Sequence, residues 1–163
     1  MVATALSAWL RRIVETDQGS SALKDWDRMV IADACSRQIH RYVRLMDGAA
    51  YEELSALFTE DGVLIRPSEP NQAIRGRPAI LESFRARPAR QTRHVVSNIE
   101  VTAETAERAT ASSTVVLYTG DNNGESSSIK ATAVGSFEDV FQKVGGDWLF
   151  AERRGSIAMK SSV

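Results

Sequence analysis

The stretch that decides the fold is IKATAVGSFEDVFQKVGGDWLFAERRGSIAM, residues 129–159. Its pattern predicts two long strands, Ile129–Lys143 and Asp147–Met159. The Gly145-Gly146 pair between them predicts a tight turn, so the two strands are expected to form a hairpin.

Two further strands are predicted before this hairpin, at Thr92–Thr102 and Ala106–Thr119. The link Ala103-Glu104-Thr105 between them is short, and Asp121-Asn122-Asn123-Gly124 forms a loop before the third strand. Consecutive long strands with short links favour a mainly antiparallel sheet.

The first half of the chain has a helical pattern. Apolar residues recur every three or four positions from Trp26 to Met46 and predict one long helix, which Asp47-Gly48 ends. Residues 2–16 predict a shorter amphipathic helix before it. A helical half followed by a stranded half favours an α+β domain.

The middle of the chain predicts short elements between the long helix and the strands. These are a helix at Ala49–Phe58, a turn at residues 59–62 and a strand at Val63–Arg66. After a loop, Gly76-Arg77-Pro78 leads into a helix from Ala79 to Arg85, since proline is tolerated in a first helical turn.

At 163 residues the chain fits one domain with a real core. Its formal net charge of -1 gives no electrostatic reason to expect nucleic acid or an anionic membrane as a partner. The start of the chain lacks the long apolar region of a signal peptide, and no run approaches the roughly 20 apolar residues of a membrane span. We therefore expect a cytoplasmic protein.

Cysteine and histidine are scarce. Cys35 is the single cysteine, so no internal disulfide can form. The two histidines, His40 and His94, lack the H-x-x-x-H or H-x-H spacing of a metal site. We expect neither a metal nor a cofactor.

Four stretches together resemble one fold family. They are YVRLMDG at residues 42–48, LSALFTEDG at 54–62, IRGRPAI at 74–80 and DWLFAERR at 147–154. Their order is similar to that of the NTF2/SnoaL-like cone fold, over about residues 28–159.

The resemblance implies helices packed on a strongly curved, mainly antiparallel sheet that encloses a pocket. We expect this domain at residues 26–163 and a helical extension at residues 1–25. Within the superfamily the chain most resembles the branch that holds scytalone dehydratase, bile-acid 7α-dehydratase and the hexachlorocyclohexane dehydrochlorinase. That branch implies a lyase without a cofactor.

Asp47 and His94 stand where this branch carries a carboxylate after the first long helix and a histidine early in the strands. An imidazole can take a proton from carbon or oxygen near neutral pH. A carboxylate on its other nitrogen fixes the tautomer and stabilises the imidazolium. On the residues alone, a helix-end turn residue and a packing histidine are the alternatives.

The resemblance adds Tyr42 and Arg153 to the predicted catalytic residues. A phenol can donate a proton to a departing hydroxyl, and a guanidinium can hold an oxyanion. A core tyrosine is the alternative for Tyr42. The face that Arg153 takes depends on whether a bulge interrupts the last strand.

The other predicted pocket residues are mostly apolar, which would strengthen the electrostatics of the pair. Asn98 and Val96 are expected on the strand face of His94, and Tyr118 stands near the place of a second histidine in scytalone dehydratase. The predicted set is Phe58, Leu64, Phe84, Val96, Asn98, Thr114, Val116, Tyr118 and Phe137.

The expected function is β-elimination of water from a small hydrophobic hydroxylated carbonyl compound of steroid, terpenoid or polyketide type. The alternatives are an isomerase or cyclase of the same fold, and a non-catalytic ligand-binding or structural subunit like the small subunits of ring-hydroxylating dioxygenases. Val115 and Leu117, expected on the outer face of the sheet, favour a homo-oligomer, either a dimer or a trimer.

Overall fold

A computed structural model describes residues 23–88, 90–120 and 129–161. The predicted helix at residues 2–16 and the loop at Asp121-Asn122-Asn123-Gly124 lie outside the described residues. The described part holds three helices and one six-stranded sheet, so the α+β prediction is confirmed.

Helix α1, Asp25–Asp47, agrees with the predicted long helix to within one residue at each end. After Gly48 the chain turns sharply, because Ala49 takes a left-handed φ of 52°. The spacing of the apolar residues places them on one side of the helix, against the sheet. The buried residues of this face are Ile31, Cys35, Ile39, Tyr42, Val43 and Met46.

Helix α2 is Tyr51–Ser55, and strand β1 is Phe58–Ile65. The predicted helix Ala49–Phe58 is therefore too long, and the predicted turn at residues 59–62 is wrong because it lies inside a strand. The cause is tertiary: the first residue of β1 pairs with Phe150 of the last strand, which gives its backbone groups partners in the sheet.

Strand β2, Ala73–Arg75, is a short strand that the sequence did not predict. Gly76 follows it with a φ of 85°, a conformation that favours glycine, and its amide donates to the Gly62 carbonyl at 2.8 Å. Helix α3, Arg77–Arg85, begins there with Pro78 in its first turn.

The four long strands match their predicted bounds to within two residues. The sheet has the order β2-β1-β6-β5-β4-β3, and all neighbours run antiparallel except β1 and β6, which are parallel. The mainly antiparallel sheet is therefore confirmed. The long strands are β3 (Gln91–Ala103), β4 (Arg108–Gly120), β5 (Ile129–Val144) and β6 (Asp147–Lys160).

The sheet curls around the apolar side of α1. Register shifts interrupt the pairing of β3 with β4, of β4 with β5 and of β5 with β6, and such bulges increase the local bend and twist. Phe141 and Phe150 have no exposed surface and pack against each other in the core, with ring centroids 4.5 Å apart. None of the described helices is long and apolar enough to cross a membrane.

Candidate active site

The end of α1 brings Asp47 against His94 of β3. His94 Nδ1 lies 2.6 Å from Asp47 Oδ1, a short distance for a hydrogen bond between a ring nitrogen and a carboxylate. The structure therefore brings together the two residues that the sequence singles out, although they lie far apart along the chain.

Two further donors hold the Asp47 carboxylate in place. The Thr92 hydroxyl donates to Oδ1 at 3.0 Å, and the His94 backbone amide donates to Oδ2 at 2.8 Å. With both oxygens engaged, the carboxylate fixes the His94 tautomer that carries its proton on Nδ1. The other ring nitrogen, Nε2, is then free to accept a proton.

The negative charge of Asp47 is energetically unfavourable at its position in the helix. It lies in the last turn of α1, where the helix dipole disfavours a negative charge by about 0.3–1 kcal/mol. Its side chain is 11% exposed, and that of His94 is 19% exposed. A carboxylate that only ended the helix would remain exposed to water. The three hydrogen-bond donors offset the cost of burying this one.

His94 forms part of the wall of a partly open cavity of about 140 Å³. Large apolar side chains make up much of the wall, and a few polar groups interrupt it, as is typical of small-molecule sites. The apolar lining includes Met46, Leu64, Pro67, Val115, Leu117, Ala133, Phe137 and Ile157; the polar lining is Tyr42, Arg66, Ser68, Arg87, Arg90, His94 and Ser156, with Gly135 between them.

Tyr42 lies five residues before Asp47 on α1 and lines the same cavity. Burial raises the pKa of the Tyr42 hydroxyl, so it remains a proton donor at neutral pH. The ring is fixed by edge contacts with the aromatic residues Phe58, Phe84, Phe137 and Phe150.

Arg153 is fully buried and pairs with Asp139, to which its Nη1 donates at 2.8 Å. Its guanidinium carbon lies 4.2 Å from the ring centroid of Tyr42 and 3.9 Å from that of Phe137. Arg153 does not line the cavity. The structure therefore does not show the expected direct access of Arg153 to a substrate oxygen; its guanidinium packs against the Tyr42 ring instead.

The fold and these contacts can be compared with known proteins. The model of the SnoaL-like domain matches residues 28–154 of the chain. The chain belongs to the SnoaL-like family. This confirms the resemblance seen in the sequence, and with it the cone fold. No curated protein matches the chain.

Solved structures of other proteins resemble this SnoaL-like domain. A candidate scytalone dehydratase from Novosphingobium aromaticivorans is 27% identical with a TM-score of 0.70, over 83% of this chain and 89% of that one. ActVI-ORFA from Streptomyces coelicolor is 21% identical with a TM-score of 0.65, over 78% of this chain and 97% of that one. The second likeness shows the fold alone.

Four of the predicted pocket residues of this SnoaL-like domain lie at the cavity or against the Tyr42 ring. Leu64 and Phe137 line the cavity. Phe58 and Phe84 have no exposed surface and do not line it. They contact the Tyr42 ring instead.

Strand β4 faces the opposite way from the prediction. Val115 and Leu117, expected on the outer face, line the cavity, whereas Thr114 and Val116 do not. The reason is the register, since Leu117 stands directly opposite His94 and partners across a sheet share a face. The expected homo-oligomer loses the support that it drew from Val115 and Leu117.

Two other predicted positions on β3 and β4 also lie outside the cavity. Asn98 is exposed with a φ of 50°, because a bulge follows Ser97 and ends the alternation from His94. Tyr118 faces a separate groove next to Arg93.

Val96 keeps the face of His94. It packs against the hydrophobic core, however, and does not line the cavity.

Sequence reasoning missed Thr92 and three arginines. Thr92 could have been found, since it stands two residues before His94 and therefore shares its strand face. Arg66, Arg87 and Arg90 carried no such signal, because they lie outside regular elements and only the folded chain brings them to the cavity. Within the described residues no three His, Cys, Asp or Glu side chains group as metal ligands would.

Proposed function

We propose that this SnoaL-like domain is a lyase that removes water from a small, hydrophobic, hydroxylated carbonyl compound. The observation that supports the proposal is the 2.6 Å contact between His94 Nδ1 and Asp47 Oδ1, with the His94 ring at the wall of a cavity. A histidine oriented in this way is a general base.

The proposed reaction is a β-elimination. His94 Nε2 takes the proton from the carbon beside the carbonyl, and the electrons of that C–H bond form the new carbon–carbon double bond. The C–O bond at the next carbon breaks, and the hydroxyl leaves as water with a proton from Tyr42. Asp47 stabilises the imidazolium until His94 returns its proton to Tyr42 through solvent.

The apolar part of the wall suits the ring of a steroid, terpenoid or polyketide. An isomerase would use the same base, so the product of the reaction, and not the geometry, separates it from a dehydratase. A non-catalytic module is less well supported, because a histidine that only packs would not combine a fixed carboxylate with a place at a cavity wall.

The test uses 3-hydroxy-1-tetralone, a β-hydroxyketone that loses water to give fluorescent 1-naphthol. We expect the protein to accelerate the appearance of 1-naphthol, and the variant His94→Ala to lower kcat by about 10²–10⁴-fold, the range of general-base catalysis. Exchange of the C2 protons of 3-hydroxy-1-tetralone with solvent deuterium without formation of 1-naphthol would favour the alternative reaction, which shares the proton abstraction.

The control is His40→Ala, which removes the other histidine from an exposed position on α1. It should leave kcat unchanged. The melting temperature of both variants shows that the fold is intact. Equal rates for His94→Ala and the unchanged protein would remove His94 from the mechanism.

A further inference from the structure

The charged residues of the cavity lining all have one sign. Arg66, Arg87 and Arg90 line it, and no Asp or Glu does among the described residues. Asp47 lies behind His94 and is already engaged by three donors. A molecule inside the cavity therefore meets three arginines and, in the part of the wall that the structure describes, no acidic side chain.

Arg87 is the arginine of the cavity wall whose charge is least balanced by its surroundings. It is half-buried, and its Nη1 lies 3.5 Å from the Met46 sulfur, a weak acceptor. The guanidinium also lies 5.3 Å from the Phe84 ring centroid. Among the described residues no carboxylate lies within ion-pair distance of it.

The surroundings of Arg87 oppose its charge. Burial lowers the pKa of Arg87, and the nearby charges of Arg66 and Arg90 lower it further, while Tyr42 raises it. A guanidinium nevertheless stays charged in proteins. A partly buried cation without a partner is costly, and binding an anion offsets that cost.

The two neighbouring arginines are placed differently. Arg66 donates to the Ser83 carbonyl and lies 3.5 Å from the exposed Glu69 carboxylate, so part of its charge is balanced. Its Nε is buried without a partner among the described residues. Arg90 is exposed at the cavity. Arg87 is thus the guanidinium that is best placed to pair with a ligand.

We infer that the cavity selects ligands that carry an oxyanion, and that Arg87 pairs with it. A guanidinium presents parallel N–H groups that match a carboxylate or a phosphate through two hydrogen bonds. This inference rests on the proposed function for the reaction that the ligand undergoes. The binding of the oxyanion does not depend on that reaction. The preferred substrate is then a hydroxylated carbonyl compound that also carries an oxyanion, and a neutral compound such as 3-hydroxy-1-tetralone should bind more weakly but still react.

The test compares 2-naphthoate with its uncharged counterpart 2-naphthamide by titration calorimetry. We expect the unchanged protein to bind the carboxylate at least about tenfold more tightly, and the preference to shrink as salt is added. Arg87→Met should abolish the preference while changing amide binding less than twofold. A 2-naphthyl phosphate titration then distinguishes the oxyanions, since the tighter ligand identifies the group.

Two variants control this experiment. Arg37→Met removes an exposed arginine that pairs with Asp33 on α1 and should keep the full preference. Arg87→Lys keeps the charge and should retain part of it. If Arg87→Met fails to fold, Arg90→Met, which should weaken the preference, takes its place.

Equal affinity for acid and amide in the unchanged protein would overturn the inference. Absence of 2-naphthoate binding to the unchanged protein would overturn it too. An equal loss of affinity for 2-naphthoate and 2-naphthamide in Arg87→Met would also overturn it, because Arg87 would then be a packing residue. The variant His94→Ala should keep the preference for the anion. Loss of turnover with an intact preference therefore separates this inference from the proposed reaction.

Discussion

At the scale of the residue, the important contrast is between a carboxylate that is held and a ring that must exchange protons. Thr92 and the His94 amide hold Asp47, whereas Nε2 of the His94 ring hydrogen-bonds to no residue that the structure describes. The sequence could predict this pair because both residues stand at family positions. It could not predict Arg87, whose place depends on how the chain after α3 packs beside Met46.

Replacing Asp47 with asparagine should lower kcat by about 10³–10⁴-fold, as in other oriented histidines. The amide would offer N–H groups to Nδ1 and favour the wrong tautomer. The assay is the formation of 1-naphthol from 3-hydroxy-1-tetralone. Asp33→Asn, on the exposed side of α1, is the control and should have no effect. A rate for Asp47→Asn within threefold of normal would contradict the role of Asp47.

Replacing Tyr42 with phenylalanine should lower kcat by about 10²-fold, the lower part of the range for general acids. The melting temperature should change little, since the aromatic contacts of the ring remain. The control is Tyr51→Phe, because Tyr51 stacks on Phe84 and does not line the cavity.

The leaving group gives the Tyr42 variant a second readout. In the acetate ester of 3-hydroxy-1-tetralone the leaving group is acetate, which departs as an anion and needs no proton. Tyr42→Phe should therefore turn it over at the normal rate. An equal loss on both substrates would show that the hydroxyl does not protonate the leaving group.

At the scale of the element, bulges decide what the strands present to the cavity. On β6, Phe150 pairs with Phe141, but Glu152 pairs with Val140, so one extra residue lies between them. This bulge turns both Phe150 and Arg153 inward, which strict alternation forbids.

Elements that depend on local sequence were predicted correctly, whereas elements that depend on distant strand partners were not. The period of α1 and the turn at Gly145-Gly146 are local, and the sequence predicts both. The facing of β4 and the start of β1 depend on partners elsewhere in the sheet, so local patterns mislead at Val115 and Phe58.

Gly135 shows how tightly the curled strands approach each other. A Cβ added there would overlap the backbone carbonyl oxygen of Ser156 on β6. Gly135→Ala should therefore lower the free energy of unfolding by about 1–3 kcal/mol, as overpacking does. The measurement is the urea midpoint.

Gly120→Ala is the matched control for this prediction. Its added Cβ would meet only the Gln91 side chain, whose Oε1, 3.1 Å away, can move aside and whose Cβ lies at an ordinary contact distance of 3.7 Å. Equal losses in the two variants would show that a general cost of alanine, and not the contact with Ser156, is responsible.

At the scale of the whole molecule, the pair of Asp139 and Arg153 joins β5 to β6 inside the core. Burial raises the pKa of Asp139 from its ordinary 3.8 to about 6, and the attraction of Arg153 offsets this only in part. The cost of removing a carboxylate from water thus outweighs the gain from one guanidinium.

This pair gives the stability of the domain a dependence on pH. Because the pKa of Asp139 is higher in the folded state, the folded protein binds more protons between about pH 4 and 6. The contribution of Asp139 to the free energy of unfolding is therefore present at pH 4 and falls as pH rises through 6. Urea unfolding of the unchanged protein and of Asp139→Asn tests this: between about pH 4 and 6 the free energy of unfolding of the unchanged protein should fall relative to that of the variant, and a relative rise would contradict the raised pKa.

Cys35 lies midway along α1 with no exposed surface, and burial raises the pKa of its thiol to about 12. A thiol-specific dye therefore cannot label it while the helix stays in place. Since the chain has no other cysteine, the labelling rate counts how often α1 separates from the sheet. The wild-type protein thus carries a reporter of its own opening, and a ligand that closes the cavity should slow the labelling.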